Sequence, residues 1–194
     1  TRNTAMGKDA LIANTTGDAN VAVGYQSMIT NTTGTDNTAI GKESLKANTT
    51  GTNNTALGRQ ALFSNTTGAS NVAVGLNSLK SNTTGTRNIA IGQSSYQNSD
   101  TENDNLAIGY NAMTTNTAGG TKNVAIGNYA LDALTSGDTN VAVGYDALTA
   151  HTTGANNVAV GERALAASTT GAQNTALGGT ALIALTTGAS NTAV

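Results

Sequence analysis

An asparagine recurs along this chain at Asn3, Asn20, Asn37, Asn54, Asn71, Asn88 and Asn105, and again at Asn123, Asn140, Asn157, Asn174 and Asn191. Every interval is 17 residues except the one from Asn105 to Asn123, which is 18. Each Asn opens one phrase, Asn-x-Ala-(apolar)-Gly-x-x-(Ala/Ser)-(Leu/Met)-x-x-(Asn)-Thr-Thr-Gly-x-x, whose positions are called columns one to seventeen below. A unit this short cannot bury a hydrophobic face alone, so it must stack on copies of itself. The period therefore restricts the chain to a solenoid.

Glycine marks how each coil bends. Column five is Gly from Gly7 to Gly178, and column fifteen is Gly except at Glu102; together they hold 21 of the 23 glycines. Gly supplies backbone angles that side chains forbid, so the columns predict two bends per coil. Two short extended pieces are expected between them, Asn-(Thr/Val)-Ala-(Val/Ile/Leu)-Gly and a second around (Ala/Ser)-(Leu/Met)-x-x. Two bends in 17 residues leave no room for two helices. The expected fold is all-β: a parallel β-solenoid of eleven 17-residue coils, spanning residues 1–194 as a single repeat region. At a rise of about 4.8 Å per coil the rod is about 50 Å long. The absence of proline suits a parallel ladder that uses most N–H groups.

Side chains alternate across a strand, so columns two and four share a face and column three points the other way. Column four is apolar throughout (Met6, Val23, Ile40, Leu57, Val74, Ile91), column two mixes aliphatics with Thr, and column three is Ala in all twelve copies. Constraint on both faces implies that one packs inside the coil and the other against a second surface, which predicts an oligomer. The column-one Asn side chains, stacked at the coil rise, are expected to form an amide ladder. Aromatics are 3% of residues and Trp is absent, so only a thin core extended along an axis can form.

Charge and chemistry exclude several functions. Charged residues are 10% and the net charge is −2, which gives no long-range steering toward nucleic acid or acidic membranes. There is no cysteine, and no apolar run long enough to span a bilayer. His151, the single histidine, stands where most repeats have Asn and reads as a turn residue. One His and no Cys leave Ser-His-Asp and Cys-His catalysis without support, so no enzyme activity and no cofactor are expected. The Gly columns are periodic bends rather than a phosphate loop. Asn14-Thr15-Thr16 and its copies match the glycosylation sequon through the turn sequence alone.

Some positions break the pattern. Ser99-Asp100-Thr101-Glu102 replaces Asn-Thr-Thr-Gly, and the next coil carries an insertion at Gly119-Gly120, so the two irregularities should be neighbours in space. Asp100, Glu102 and Asp104 could hold Ca²⁺, which takes several oxygen ligands; a solvated, bulged loop is the simpler expectation. Arg87, Asp104 and Lys122 share a column with alternating sign. Tyr25, Tyr110 and Tyr145 share column six, just past the first bend, and are candidate exposed contact residues for a glycan or protein partner.

The phrases Asn37-Thr38-Ala39-Ile40-Gly41, Asn71-Val72-Ala73-Val74-Gly75 and Asn88-Ile89-Ala90-Ile91-Gly92 resemble the head repeats of trimeric autotransporter adhesins of the YadA type. The longer phrase Asn-Thr-Thr-Gly-x-x-Asn-Thr-Ala-x-Gly is similar to repeats of phage and viral tail fibres. The resemblance implies a left-handed β-roll, a homotrimer about one axis, and an extracellular place at a cell or virion surface. It also implies a host-cell or surface receptor, protein or glycan, as partner. The adhesin unit is shorter; here Asn-Thr-Thr-Gly lengthens the outer bend, and no ligand residue carries over. The chain begins at Thr1-Arg2-Asn3 and ends at Ala193-Val194, both within repeats and without polar caps, which predicts a segment of a longer fibre protein. Two other functions compete. Thr rows suggest an ice-binding solenoid, although adjacent Thr on a strand point to opposite faces. Uncapped ends suggest a self-assembling extracellular filament.

Overall fold

The computed structural model describes residues 2–115 and 119–194. It is a parallel β-solenoid of about eleven coils, with no helix among the described residues. One short strand comes from each repeat, from β1 (Thr4–Met6), β2 (Val21–Val23) and β3 (Thr38–Ile40) to β12 (Thr192–Ala193). The twelve strands form one sheet in chain order. Like columns pair throughout: Thr4 with Val21, Ala5 with Ala22, Met6 with Val23. The insertion leaves this register intact, since Leu106 still pairs with Val124.

The expected second strand does not form. Columns seven and nine lie in the left-handed region, as at Gln60 (φ 57°) and Leu62 (φ 50°). Alternating hands curl this stretch into a tight arc, which lets two consecutive residues, Ala61 and Leu62, both turn inward and be fully buried. A strand would have sent them to opposite faces. Left-handed backbone costs a non-Gly residue roughly 1–2 kcal/mol, and burying a Leu contributes about 1.5–3 kcal/mol, so the core offsets the strain. The arc still hydrogen-bonds coil to coil, through Leu62 N–H to Ser78 O (3.1 Å) and Ser64 N–H to Lys80 O (2.9 Å). Column seventeen, just before the strand, is a third left-handed position, as at Asn53 (φ 58°).

The core lies between strand and arc. Ala22, Ala39, Ala56 and their column-three equivalents face Leu45, Leu62, Leu79 and their column-nine equivalents, without solvent exposure except in the terminal coils. Column eight lies so close to the strand that Ser27 Oγ donates to Ala39 O at 3.0 Å, and Ser44 Oγ to Ala56 O at 3.0 Å. That approach explains why only Ala fills column three.

The two glycine columns answer different demands. Column five has φ of 123–140°, open to glycine; a Cβ on Gly58 would lie 2.5 Å from Gly75 O and 2.7 Å from Gly75 C. Column fifteen needs no special angle. A Cβ on Gly51 would lie 2.3 Å from Asn48 Oδ1 and 2.5 Å from Gly68 O, so this Gly is there for space. The expectation that both columns supply unusual angles holds for the first alone.

Two amide ladders run through the interior. In column one, Asn54 donates through Nδ2 to Asn37 Oδ1 (3.1 Å) and Gly68 O (2.8 Å), and through its N–H to Asn37 Oδ1 (3.0 Å). In column twelve, Asn31 donates to Asn14 (3.0 Å), Asn48 to Asn31 (2.7 Å), Asn65 to Asn48 (2.9 Å) and Asn82 to Asn65 (2.8 Å). The second ladder stops where the next residue is Ser99. Asn82 Oδ1 and Ser99 Oγ are left there, buried and without partners.

Candidate functional site

The inward placement of Ala leaves columns two and four on the outer face of the sheet. Ile40, Leu57, Ile89, Ile91, Val160 and Leu177 are 37–41% exposed there, while the alanines between them are completely covered. The result is a strip two side chains wide and about 50 Å long, aliphatic with interspersed Thr and without a charged residue. Its side chains recur once per coil at fixed register. Contiguous exposed apolar surface on this scale is uncommon on monomeric soluble proteins.

A second surface follows column six. Tyr25, Tyr110 and Tyr145 are 42%, 40% and 50% exposed, as expected of rim residues beyond the first bend. The structure adds Tyr129, one column over, to this group. Its ring stands edge-on to Tyr110 (centroids 5.4 Å, 85°) and to Tyr145 (6.0 Å, 85°), so three rings on three successive coils touch. Tyr25 lies far from them, beneath Lys42, whose Nζ is 5.8 Å from the ring centroid. Lys46 similarly covers Phe63 at 5.3 Å and bonds Glu43 Oε1 at 2.9 Å. Two carboxylates face the tyrosine row. Burial pushes the Asp132 carboxyl up, against the Thr114 hydroxyl that donates to it, and Asp146 pushes it further. The Tyr129 phenol is pushed up by burial and by Tyr110, Tyr145, Asp132 and Asp146. Column seven carried no aromatic signal in other repeats, so Tyr129 becomes visible as a partner only when columns six and seven are seen to share a flank.

The acidic turn is built for backbone capping. The Glu102 side chain folds inward and is buried; Oε2 accepts from the N–H groups of Asp100 (2.8 Å) and Thr101 (3.1 Å), and Oε1 from Gly119 N–H (3.1 Å). The two irregular turns are thus in contact. Asp104 turns outward to Arg87 (Nε–Oδ1 2.5 Å, Nη2–Oδ2 2.9 Å), which holds its carboxyl down, with Lys122 adding to the effect. Asp100 Oδ1 accepts from Thr83 Oγ1 (2.5 Å). The three carboxylates point to three different partners, and among the described residues no three His, Cys, Asp or Glu converge as metal ligands.

The other singled-out positions are internal. His151 is fully buried in the turn, with Nε2 2.9 Å from Gly154 O and Nδ1 3.4 Å from Ser168 Oγ. It takes the carbonyl contact that Asn48 Nδ2 makes with Gly51 O in the same column of an earlier coil, and burial pushes its pKa down. The sequon residues Asn31, Asn48, Asn65 and Asn82 are buried with Nδ2 committed to the ladder, so these four present no acceptor nitrogen to a glycosylating enzyme; Asn14, in the first coil, is only half-buried. Thr32, Thr49 and Thr66 donate their hydroxyls to carbonyls of the next coil (3.0–3.1 Å); their neighbours Thr33, Thr50 and Thr67 are exposed. Of each Thr pair, one hydroxyl is therefore committed internally. Among the described residues there is no enclosed pocket. Comparison with protein-family models, curated proteins and solved structures finds no match, so the strip and the tyrosine flank rest on their own geometry.

Proposed function

We propose that this chain is a structural segment of a trimeric extracellular fibre, a surface adhesin or a phage or viral tail fibre, that displays a host- or surface-binding region. In this reading three left-handed coils turn their sheets toward a common axis. The observation that supports it is the uninterrupted outward strip of columns two and four. A monomer would leave this strip in water, at roughly 25 cal/mol for each Å² of apolar surface. Since every coil rises by the same step, parallel copies stay matched rung by rung along the rod. The aliphatic and Thr side chains suit close packing of β faces, and the strip carries no charge to oppose association. The same rod holds its other surfaces at fixed spacing and so serves as a rigid display scaffold.

Light scattering on the purified chain tests the assembly. The expected mass is three times 19.2 kDa. The double substitution Ile89→Asp/Ile91→Asp puts two charges on one outward rung and is expected to yield folded monomers with an unchanged circular dichroism spectrum. A wild-type chain that stays a folded monomer at micromolar concentration refutes the proposal.

A further inference from the structure

We propose that Tyr110, Tyr129 and Tyr145, with Asp132 and Asp146, form a binding site for a lysine or arginine side chain on a protein partner. The inference rests on the reading that this rod presents a contact surface, and it names the chemistry of that contact.

The flank carries two kinds of aromatic. In the coils of Tyr25 and Phe63, each ring has its own cation, Lys42 at 5.8 Å and Lys46 at 5.3 Å. In the coils of Tyr110, Tyr129 and Tyr145, no Lys or Arg among the described residues stands over a ring. Carboxylates occupy the neighbouring positions instead. Three of the chain's five tyrosines gather there, and two of them are at least 40% exposed. A tyrosine face attracts a cation through its negative quadrupole, and the attraction grows where water is partly excluded. The rings stand at 85° to one another, so a cation on this patch meets both ring faces and ring edges bearing phenol oxygens. Asp132 and Asp146 repel each other and both act on Tyr129, so a cation bound beside them is favoured. The polar groups alongside are Thr114, which donates to Asp132, and Asn128, whose Oδ1 accepts from Tyr110 N–H at 2.8 Å. The charges on the following coil, Glu162 and Arg163, cancel. The patch is thus net negative, which favours a cationic protein segment and opposes sialylated or sulfated glycans.

The chain has no Trp, and three of its five tyrosines lie in the site, so a change in tyrosine emission that is diminished in the Tyr110→Ser and Tyr145→Ser variants reports on the site. The probe is a short Arg-Gly-Arg peptide, with the citrulline peptide as its neutral isostere, titrated into the full chain at low salt. Saturable binding of the arginine peptide is expected, weakening several-fold between 20 and 300 mM salt as surface charges are screened. Tyr110→Ser and Tyr145→Ser should each weaken it roughly two- to fivefold. Asp132→Asn/Asp146→Asn should weaken it further and flatten the salt dependence, while Tyr25→Ser should leave it unchanged. Equal binding of the citrulline peptide, or full affinity in the Asp132→Asn/Asp146→Asn variant, overturns the proposal. Light scattering of the same samples separates the two readings: a monomer that still binds the arginine peptide sinks the trimer alone, and a trimer indifferent to it sinks the site alone.

Discussion

Replacing Asn54 with alanine removes four hydrogen bonds from the interior: two accepted by Oδ1, from Asn71 N–H (3.0 Å) and Nδ2 (3.2 Å), and two donated by Nδ2, to Asn37 Oδ1 (3.1 Å) and Gly68 O (2.8 Å). Three of the four partners keep another contact. Asn37 Oδ1 retains Asn54 N–H, Gly68 O retains Asn65 Nδ2, and Asn71 Nδ2 retains Gly85 O. The Asn71 N–H keeps nothing. One orphaned buried donor costs about 1–3 kcal/mol, and the cavity adds about 1 kcal/mol. The expected loss is therefore about 2–4 kcal/mol, concentrated on the coils holding Asn54 and Asn71. Hydrogen exchange at the Asn71 amide reads it locally, where global unfolding of a repeat array need not be two-state. Protection there should fall roughly 30- to 1,000-fold, at about 1.4 kcal/mol per tenfold. Asn54→Asp sharpens the test. The near-isosteric carboxylate still accepts from Asn71 N–H but cannot donate to Gly68 O, and it places a charge against Asn37 Oδ1. It should be worse than alanine at pH 7. The fold favours the protonated carboxyl, so its folded pKa lies above the unfolded value. The penalty is then full above the folded pKa, shrinks as pH falls from the folded to the unfolded pKa, and is gone below the unfolded one. A protection loss under about tenfold for Asn54→Ala, or an Asn54→Asp variant no worse than alanine at pH 7, refutes the ladder as a source of stability.

The two glycine columns should respond differently to substitution. Gly58→Ala forces a left-handed-only backbone (φ +135°) and a Cβ against backbone atoms, so it should fail to restore the wild-type melting curve under any repacking. Gly51→Ala clashes first with the Asn48 side chain, so pairing it with Asn48→Ala should recover part of its loss; equal, unrescued losses at both sites would contradict the assignment. Burial lowers the His151 pKa, so the folded chain resists its protonation. Below its unfolded pKa of about 6.5 the unfolded chain binds the extra proton, so stability should rise with pH between 5 and 7. His151→Asn, which restores the common residue, should remove that dependence in denaturation midpoints measured across this range. An unchanged pH profile in the variant would count against the buried placement.

How much of this was legible in sequence can be judged column by column. The stacking, the parallel register, the thin core and the column-one ladder follow from periodicity, because any column repeated at a fixed interval must meet itself in the next coil. The opposition of Ala to columns two and four follows from strand alternation. Their directions did not follow, since small residues suit an interior as well as an interface. Only the arc across columns eight and nine, close enough for Ser27 to bond Ala39 O, settles that Ala is inside and the aliphatic strip outside. The left-handed arc itself was hidden, because Leu is an unusual residue for φ near 50° and its local preference gives no warning.

Periodicity is a one-dimensional property, and it determined what is one-dimensional here: coil count, rise, register and the column-one ladder. The path of the chain around a single coil is decided by contacts between different columns, which no repeat interval encodes. Tyr129 joined Tyr110 and Tyr145 for that reason, Glu102 turned inward to cap its neighbours' N–H groups, and Asp104 turned outward to Arg87.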